Sequence, residues 1–153
     1  MSSSAASLDK AQSRQVTAQP ETVSRVNYPA VVAAAIAAFV ASGLWYSPLV
    51  LGTQYAQLRG AEPAVMGPGE ILVEFVRTLV VAYVLARLVL LLGVGDWKRA
   101  LRFGLLVWIG FPTMILLGSV AHENVPLQLA AIHAGDWLVK VLILGVVPSL
   151  WRR

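Results

Sequence analysis

The sequence predicts an all-α, polytopic membrane protein with four transmembrane helices and both termini in the cytoplasm. Between Arg25 and Arg59 the chain has no charged side chain, and three further apolar stretches follow. Roughly 20 apolar residues span the ~30 Å hydrocarbon layer as a helix. Apolar residues make up 58% of the 153 residues and charged residues 13%, a charged share about half that of soluble domains. Because a small soluble core cannot bury four such stretches, we infer that lipid surrounds the chain.

Turn-forming residues separate the four apolar stretches. The predicted spans are 28–50, 70–92, 100–120 and 127–150. The turns between them are Gly-Pro-Gly at 67–69, Gly-Val-Gly at 93–95 and the stretch 122–126. Backbone groups in lipid must be paired within the segment, which leaves helices at these lengths. Residues 27–153 therefore form one four-helix transmembrane domain. Residues 1–26 are rich in Ser, Ala, Gln and Thr and are predicted to be a disordered tail.

The positions of Lys and Arg predict the orientation. Eight basic residues lie in the N-terminal tail, the second connection and the C-terminus, whereas the first connection carries only Arg59 and the third carries none. Positive residues favour the cytoplasmic side, so both termini are expected there. This distribution explains the net charge of +4 without nucleic acid, and no basic stripe with interleaved aromatic residues indicates a nucleic-acid surface. The expected location is a bacterial cytoplasmic membrane.

The first helix has the composition of a packing helix. Small residues that recur every four positions let helix backbones approach closely; they are Ala30, Ala34, Ala38 and Ser42. A homodimer through this face is one expectation. The helix ends in Trp45-Tyr46-Ser47-Pro48, where the aromatic pair is typical of an interfacial anchor and the proline of a helix end.

The second and third helices differ in charge. In the second, Glu74 and Arg77 lie on one face at i, i+3, with Glu70 one turn earlier. Arg87 points away from that face and lies near the cytoplasmic end, where it can extend to headgroups. The third helix is uncharged from residue 103 to 121, and Pro112 near its middle predicts a kink.

The fourth helix carries His133, Asp136 and Lys140 within one arc, bordered by Trp137. Ionisable groups at this depth are expensive and are expected to pair inside the bundle. Comparison of depths at ~1.5 Å per residue predicts an Arg77–Asp136 ion pair. On the same reasoning Glu74 reaches His133, and Lys140 pairs with Asp136.

Three interpretations of this polar cluster stay open at this point. It can be an interhelical clasp that fixes helix register, a proton-coupled transport site, or an intramembrane enzyme or metal site built from Glu74, His133 and Asp136. The chain has no cysteine and two histidines, so thiolate metal sites are excluded. His122-Glu123 lacks the second histidine of a zinc-hydrolase motif. No catalytic residue, metal or cofactor is predicted.

Several short motifs resemble the DUF1761 family of small bacterial membrane proteins. The motifs are Asn27-Tyr28, Gly43-Leu44-Trp45-Tyr46-Ser47-Pro48 with Gly52, 106–111, and Ile132-His133-Ala134-Gly135 before a final helix with Trp151. The resemblance covers about 27–151 and implies a four-helix membrane protein without an assigned function. The family pattern has Asn-Ala-Gly-Tyr where this chain has His133 to Asp136, a departure that favours the clasp.

Together these features predict a small integral membrane protein, transport-like or membrane-accessory, with a polar cluster in the outer half of the bundle. The alternative is the intramembrane enzyme or metal-binding protein. The lipid bilayer is the expected partner.

Overall fold

A computed structural model describes residues 26–60 and 66–151 of the chain. The described residues form six α-helices and one π-helical turn: α1 Tyr28–Trp45, α2 Gly52–Arg59, α3 Pro68–Leu91, α4 Trp97–Trp108, the π turn Ile109–Thr113, α5 Met114–His122 and α6 Leu127–Leu150. The all-α prediction is confirmed. The predicted disordered tail falls on residues outside the described part, except Val26. That residue is buried with the core of the bundle, and the predicted tail at 1–25 stays a prediction.

Helix α6 is the central element of the bundle. It packs against α1, α3, α4 and α5, while α1 also packs against α3. Helices α1 and α3 run antiparallel along each other, because Tyr28 stacks on Tyr83 near one end and Phe39 meets Phe75 edge-on near the other. The α1–α3 pair therefore stays in contact over most of the length of α1.

Three helices are long and apolar enough to cross a membrane. They are Tyr28–Trp45, the continuous helix Trp97–His122 and Leu127–Leu150. Three of the four predicted spans are thus supported by length and composition. Helix α3 has 24 residues, but every 18-residue part of it contains Glu74, Arg77 and at least one of Glu70 and Arg87. Helix α3 differs from the three other long helices in its charged residues and not in its length.

Helix α1 ends earlier than the sequence indicates. Its start is capped by Asn27, whose Oδ1 accepts the Ala30 N–H at 3.2 Å. Its end is Trp45, five residues before the predicted end at 50. Ser47 Oγ donates to Leu44 O at 2.7 Å, and the Gly52 N–H donates to Ser47 O at 2.9 Å. These bonds turn the chain sharply into α2, and a side chain at position 52 would overlap the carbonyl of Tyr46.

The small-residue face of α1 is buried inside the monomer. Ala30, Ala34 and Ala38 have no exposed surface and Ser42 has 6%, because this face meets α3 and α6. A homodimer through the same face would require these helices to separate, and the homodimer itself stays a prediction. The close packing predicted for the face is instead intramolecular. Residues on the opposite side are exposed and apolar, as contact with lipid requires: Val32, Ile36 and Val40.

The third span is peripheral and interrupted. Pro112 lies inside the π turn at Ile109–Thr113, where its missing N–H removes one helical hydrogen bond. The predicted irregularity at Pro112 is therefore present as a π turn. Asp96 caps the start of α4 by accepting the Arg99 N–H at 2.9 Å, and this hydrogen bond lowers the pKa of the Asp96 carboxyl.

Candidate functional site

The charged side chains of α3 and α6 converge at one end of the bundle. The C-terminal end of α1 and the N-terminal halves of α3 and α6 meet there, and their side chains form what we call the ion cluster: Ser42, Glu74, Arg77, Asp136 and Lys140. Two carboxylates and two cations give it a formal charge of zero. Of the predicted polar cluster, Glu74, Arg77, Asp136 and Lys140 pair with one another. His133 lies outside this group, and Arg77 is exposed and does not face the interior.

Lys140 is the centre of the ion cluster. Its Nζ lies 2.8 Å from Glu74 Oε1 and 3.0 Å from Asp136 Oδ2. The side chain of Lys140 is 4% exposed and that of Asp136 is 5% exposed. Asp136 Oδ1 accepts a 2.6 Å hydrogen bond from Ser42 Oγ, so both carboxylate oxygens are satisfied. The predicted Lys140–Asp136 pair is present, and Lys140 in addition joins α6 to α3.

Arg77 has a different partner from the one predicted. Its Nη2 lies 2.8 Å from Glu74 Oε2, and the structure shows no Arg77–Asp136 pair among the described contacts. That predicted pair is wrong because Lys140 and Ser42 already occupy the oxygens of Asp136. Arg77 lies at the rim, with its side chain 52% exposed against 22% for Glu74. The cluster thus runs from an exposed cation to a buried carboxylate.

Trp137 provides an aromatic wall beside both cations. The Arg77 Cζ lies 5.4 Å from its ring centroid and Lys140 Nζ lies 5.7 Å from it. Both distances are within the range of cation–π attraction. The prediction that Trp137 borders the charged arc of α6 is consistent with these contacts.

His133 belongs to a second group of side chains. Its Nδ1 is 2.8 Å from the hydroxyl of Tyr46, and its ring meets Tyr55 edge-on at 5.5 Å. The predicted Glu74–His133 contact is wrong, because Glu74 is engaged by Lys140 and Arg77. Tyr55 comes from the short helix α2, which the sequence did not predict. Arg59 Nη1 donates to the Tyr55 hydroxyl at 2.9 Å and completes this group.

Two of the sequence motifs, 43–48 and 132–135, meet in space. Trp45 Nε1 donates to the carbonyl of Ile132 at 3.1 Å, one residue before the Tyr46–His133 contact. A side chain at Gly135 would lie 2.5 Å from the Trp45 ring, so glycine allows the indole to lie against α6. The aromatic pair was predicted to anchor in the lipid interface. Their polar atoms are instead used between α1 and α6.

A third indole fixes the other side of α6. Trp108 Nε1 donates to the carbonyl of Ala134 at 2.8 Å. Trp45 and Trp108 therefore bond carbonyls two residues apart, within one turn of α6, from two different helices. The sequence analysis predicted neither the hydrogen bond of Trp108 nor the polar role of Ser42. The available signal for Ser42 was its position as the one hydroxyl residue in a row of alanines.

The space around the ion cluster is small. One cavity, lined by Glu74, Arg77, Thr78, Trp137 and Lys140 among others, has a volume of about 10 Å³, room for about one water molecule. Below it the core is apolar, with Val141 and Leu144 each 1% exposed. The described conformation therefore offers a polar site at one end of the bundle and no continuous polar path through the described residues.

A metal site does not form from the predicted residues. Within residues 26–60 and 66–151, no three His, Asp or Glu side chains are placed to hold a metal ion. His133 contacts Tyr46, whereas Glu74 and Asp136 share Lys140. The alternative of an enzyme or metal centre built from Glu74, His133 and Asp136 has no supporting geometry.

We expect Ser42→Ala to lower the free energy of unfolding by roughly 1–3 kcal/mol, because Asp136 Oδ1 loses its donor in a buried site. Ser149→Ala is the matched control. Ser149 is equally buried, but its Oγ donates only to Val146 O, 2.7 Å away in its own helix. Unfolding in detergent micelles, followed by circular dichroism, measures both. Equal effects of the two substitutions would contradict the Ser42–Asp136 hydrogen bond.

Comparison with known proteins gives one match. A family model described as "Protein of unknown function (DUF1761)" matches residues 29–149. No curated protein and no solved structure matches the chain. The matched region extends from the first turn of α1 to the last turn of α6, so it contains the ion cluster and both motifs that meet at Gly135.

Proposed function

The chain belongs to the DUF1761 family, and from that premise we propose a small transport-like protein of the bacterial cytoplasmic membrane. In this proposal the chain crosses four times, has both termini in the cytoplasm, and exchanges protons with the outside at the ion cluster. The observation that carries it is the position of Lys140, a buried ammonium held between two carboxylates. Glu74, the partly exposed carboxylate, connects that ammonium to the surface.

The crossing of α3 is supported by its partner α1. The two helices are in contact at both ends, and α1 has the length and apolarity of a span. A helix that runs along a membrane-spanning helix lies in the same layer. The four charges of α3 are then tolerated. Glu70 lies in the first turn, Glu74 and Arg77 pair at the cluster, and Arg87 lies near the opposite end, where a long side chain can reach headgroups.

The ion cluster has the groups that proton exchange requires. Ionisable residues inside membrane spans mark ion pathways and proton relays in many membrane proteins. Here Glu74, Lys140 and Asp136 form a series of ion pairs from the rim to the interior. The apolar layer at Val141 and Leu144 closes the inner side, so the proposed site is open on one side only. Transport then needs a second conformation in which that layer opens.

Cysteine labelling tests the crossing of α3 in this cysteine-free chain. With a membrane-impermeant thiol reagent on oriented vesicles, Arg59→Cys is expected to react from the outside and Lys98→Cys only after permeabilisation. If α3 does not cross, positions 59 and 98 lie on the same side and label together. That result would overturn the four-span topology.

Proton exchange is tested in liposomes that contain a pH-sensitive dye. The wild type is expected to dissipate an imposed pH gradient faster than empty liposomes. Glu74→Gln is expected to abolish this flux, since the rim carboxylate then no longer ionises. Arg87→Gln, on the same helix but outside the cluster, should retain it. Wild-type flux equal to that of empty liposomes would exclude the transport role and leave the accessory one.

A further inference from the structure

Arg77 has unused hydrogen-bonding capacity at the surface of the bundle. A guanidinium carries five N–H donors, and among the described residues only its Nη2 finds an acceptor, on Glu74. Glu74 is not dependent on Arg77 alone, because Lys140 binds the same carboxylate. An exposed guanidinium on a membrane helix is energetically expensive unless it recruits a polar partner. The described residues leave the other donors without an acceptor, so these donors are available to a ligand at the surface.

The surroundings of Arg77 match a phospholipid. Trp137 lies beside the guanidinium at 5.4 Å, and tryptophan is typical of the headgroup level of a bilayer. Val73 and Val80 are exposed on the same side of α3, where acyl chains can pack. The adjacent cavity of about 10 Å³ is too small for a headgroup, so the ligand contacts Arg77 at the rim. Phosphate oxygens suit the planar fork of arginine.

We propose that Arg77, with Trp137 and the valine surface of α3, binds the phosphodiester of a phospholipid in the leaflet on the side of the ion cluster. The guanidinium donates to the phosphate oxygens with the groups that Glu74 does not use. This inference rests on the proposed crossing of α3 but not on proton exchange. Cysteine labelling at positions 59 and 98 tests the crossing separately, so failure of one is distinguishable from failure of the other.

Native mass spectrometry of the full-length protein in mild detergent tests lipid binding. The probe is phosphatidylethanolamine, whose zero net charge removes the general attraction of a basic protein for anionic lipid. Diacylglycerol with the same chains is the phosphate-free control. We expect one tightly bound phosphatidylethanolamine, at least tenfold weaker binding in Arg77→Gln, and unchanged binding in Arg99→Gln. Arg99 is the matched control because it forms an exposed i,i+3 pair with Asp96, as Arg77 does with Glu74, but lies away from the ion cluster. Arg77→Lys, which keeps the charge but loses the fork, should give an intermediate affinity.

Three results would overturn the proposal. Equal binding of diacylglycerol would show that acyl chains alone determine retention. Equal weakening by Arg77→Gln and Arg99→Gln, or no weakening by Arg77→Gln, would remove the specific role of Arg77. Displacement of the lipid by millimolar inorganic phosphate would assign the site to a soluble anion instead. Because Arg77→Lys preserves the pair with Glu74, loss of fold in Arg77→Gln does not prevent the test.

Discussion

Lys140→Met is expected to lower the free energy of unfolding by roughly 3–5 kcal/mol, the range for breaking a buried ion pair by removing one partner. Methionine fills a similar volume but leaves Asp136, 5% exposed, without its cation. Ser42 still donates to Asp136 but carries no charge. Glu74 is less affected because Arg77 remains bonded to it. Unfolding in detergent micelles, followed by circular dichroism, measures the loss.

Two further variants separate the ion pair from other effects of this change. Lys98 lies 5.7 Å from the ring centroid of Trp97, the same cation–π distance that Lys140 makes with Trp137, but it is exposed. Lys98→Met is therefore expected to change stability by no more than about 0.5 kcal/mol. Adding Asp136→Asn to Lys140→Met removes the stranded charge and should recover much of the loss. A Lys140→Met variant as stable as Lys98→Met would show that the pair contributes nothing.

The four charged members of the ion cluster were predictable from the sequence. Their pairing, the role of Ser42 and the separation of His133 from them were not. Glu74 and Arg77 share a helix face by spacing alone, as do Asp136 and Lys140, and the cost of isolated charges in lipid requires them to meet. Whether Arg77 or Lys140 pairs with a carboxylate of the other helix depends on how α3 and α6 are rotated about their axes. A comparison of depths along the helices gives no information on that rotation. Lys140 takes both carboxylates, and Arg77 is left at the rim.

Because Arg77 pairs with Glu74 and not with Asp136, its removal is expected to have a smaller effect on stability. If Arg77 paired with Asp136 in a dry site, its removal would strand a buried charge. With its actual partner Glu74, and with half of its own side chain exposed, Arg77 resembles an exposed helix pair, worth about 1 kcal/mol or less. We therefore expect the free energy of unfolding to depend much more on Lys140 than on Arg77.

The contact between the two motifs could not be predicted from the sequence, for a different reason. Tyr46 and His133 belong to different helices, and their contact depends on where α1 stops. Backbone hydrogen bonds at Ser47 and Gly52 end α1 at Trp45 and turn the chain over the bundle end. Hydropathy places the end of this span near residue 50, because the turn itself contains apolar residues. The apolar pattern thus predicts which segments cross, whereas turn geometry determines which side chains meet.

Gly135→Ala is the second substitution with a large expected effect. The added Cβ would lie 2.5 Å from Cζ2 and 3.0 Å from Cη2 of Trp45, so the indole or helix α6 must shift. Overpacking of this kind costs roughly 1–3 kcal/mol, and the Trp45–Ile132 hydrogen bond is strained as well. Gly118→Ala is the matched control, because nothing lies within 4 Å of its added Cβ. There, alanine is expected to stabilise the helix by up to about 1 kcal/mol.

A double-mutant cycle shows whether the Trp45 ring is the cause of that loss. In a Trp45→Leu background the space next to Gly135 is open, so Gly135→Ala should cost far less there than in the wild type. The difference between the two costs is the coupling energy of the contact. If Gly135→Ala costs the same in both backgrounds, the glycine serves another neighbour. The two motifs would then be adjacent without depending on each other, and the close approach of α1 to α6 would rest on Ser42 and Asp136 instead.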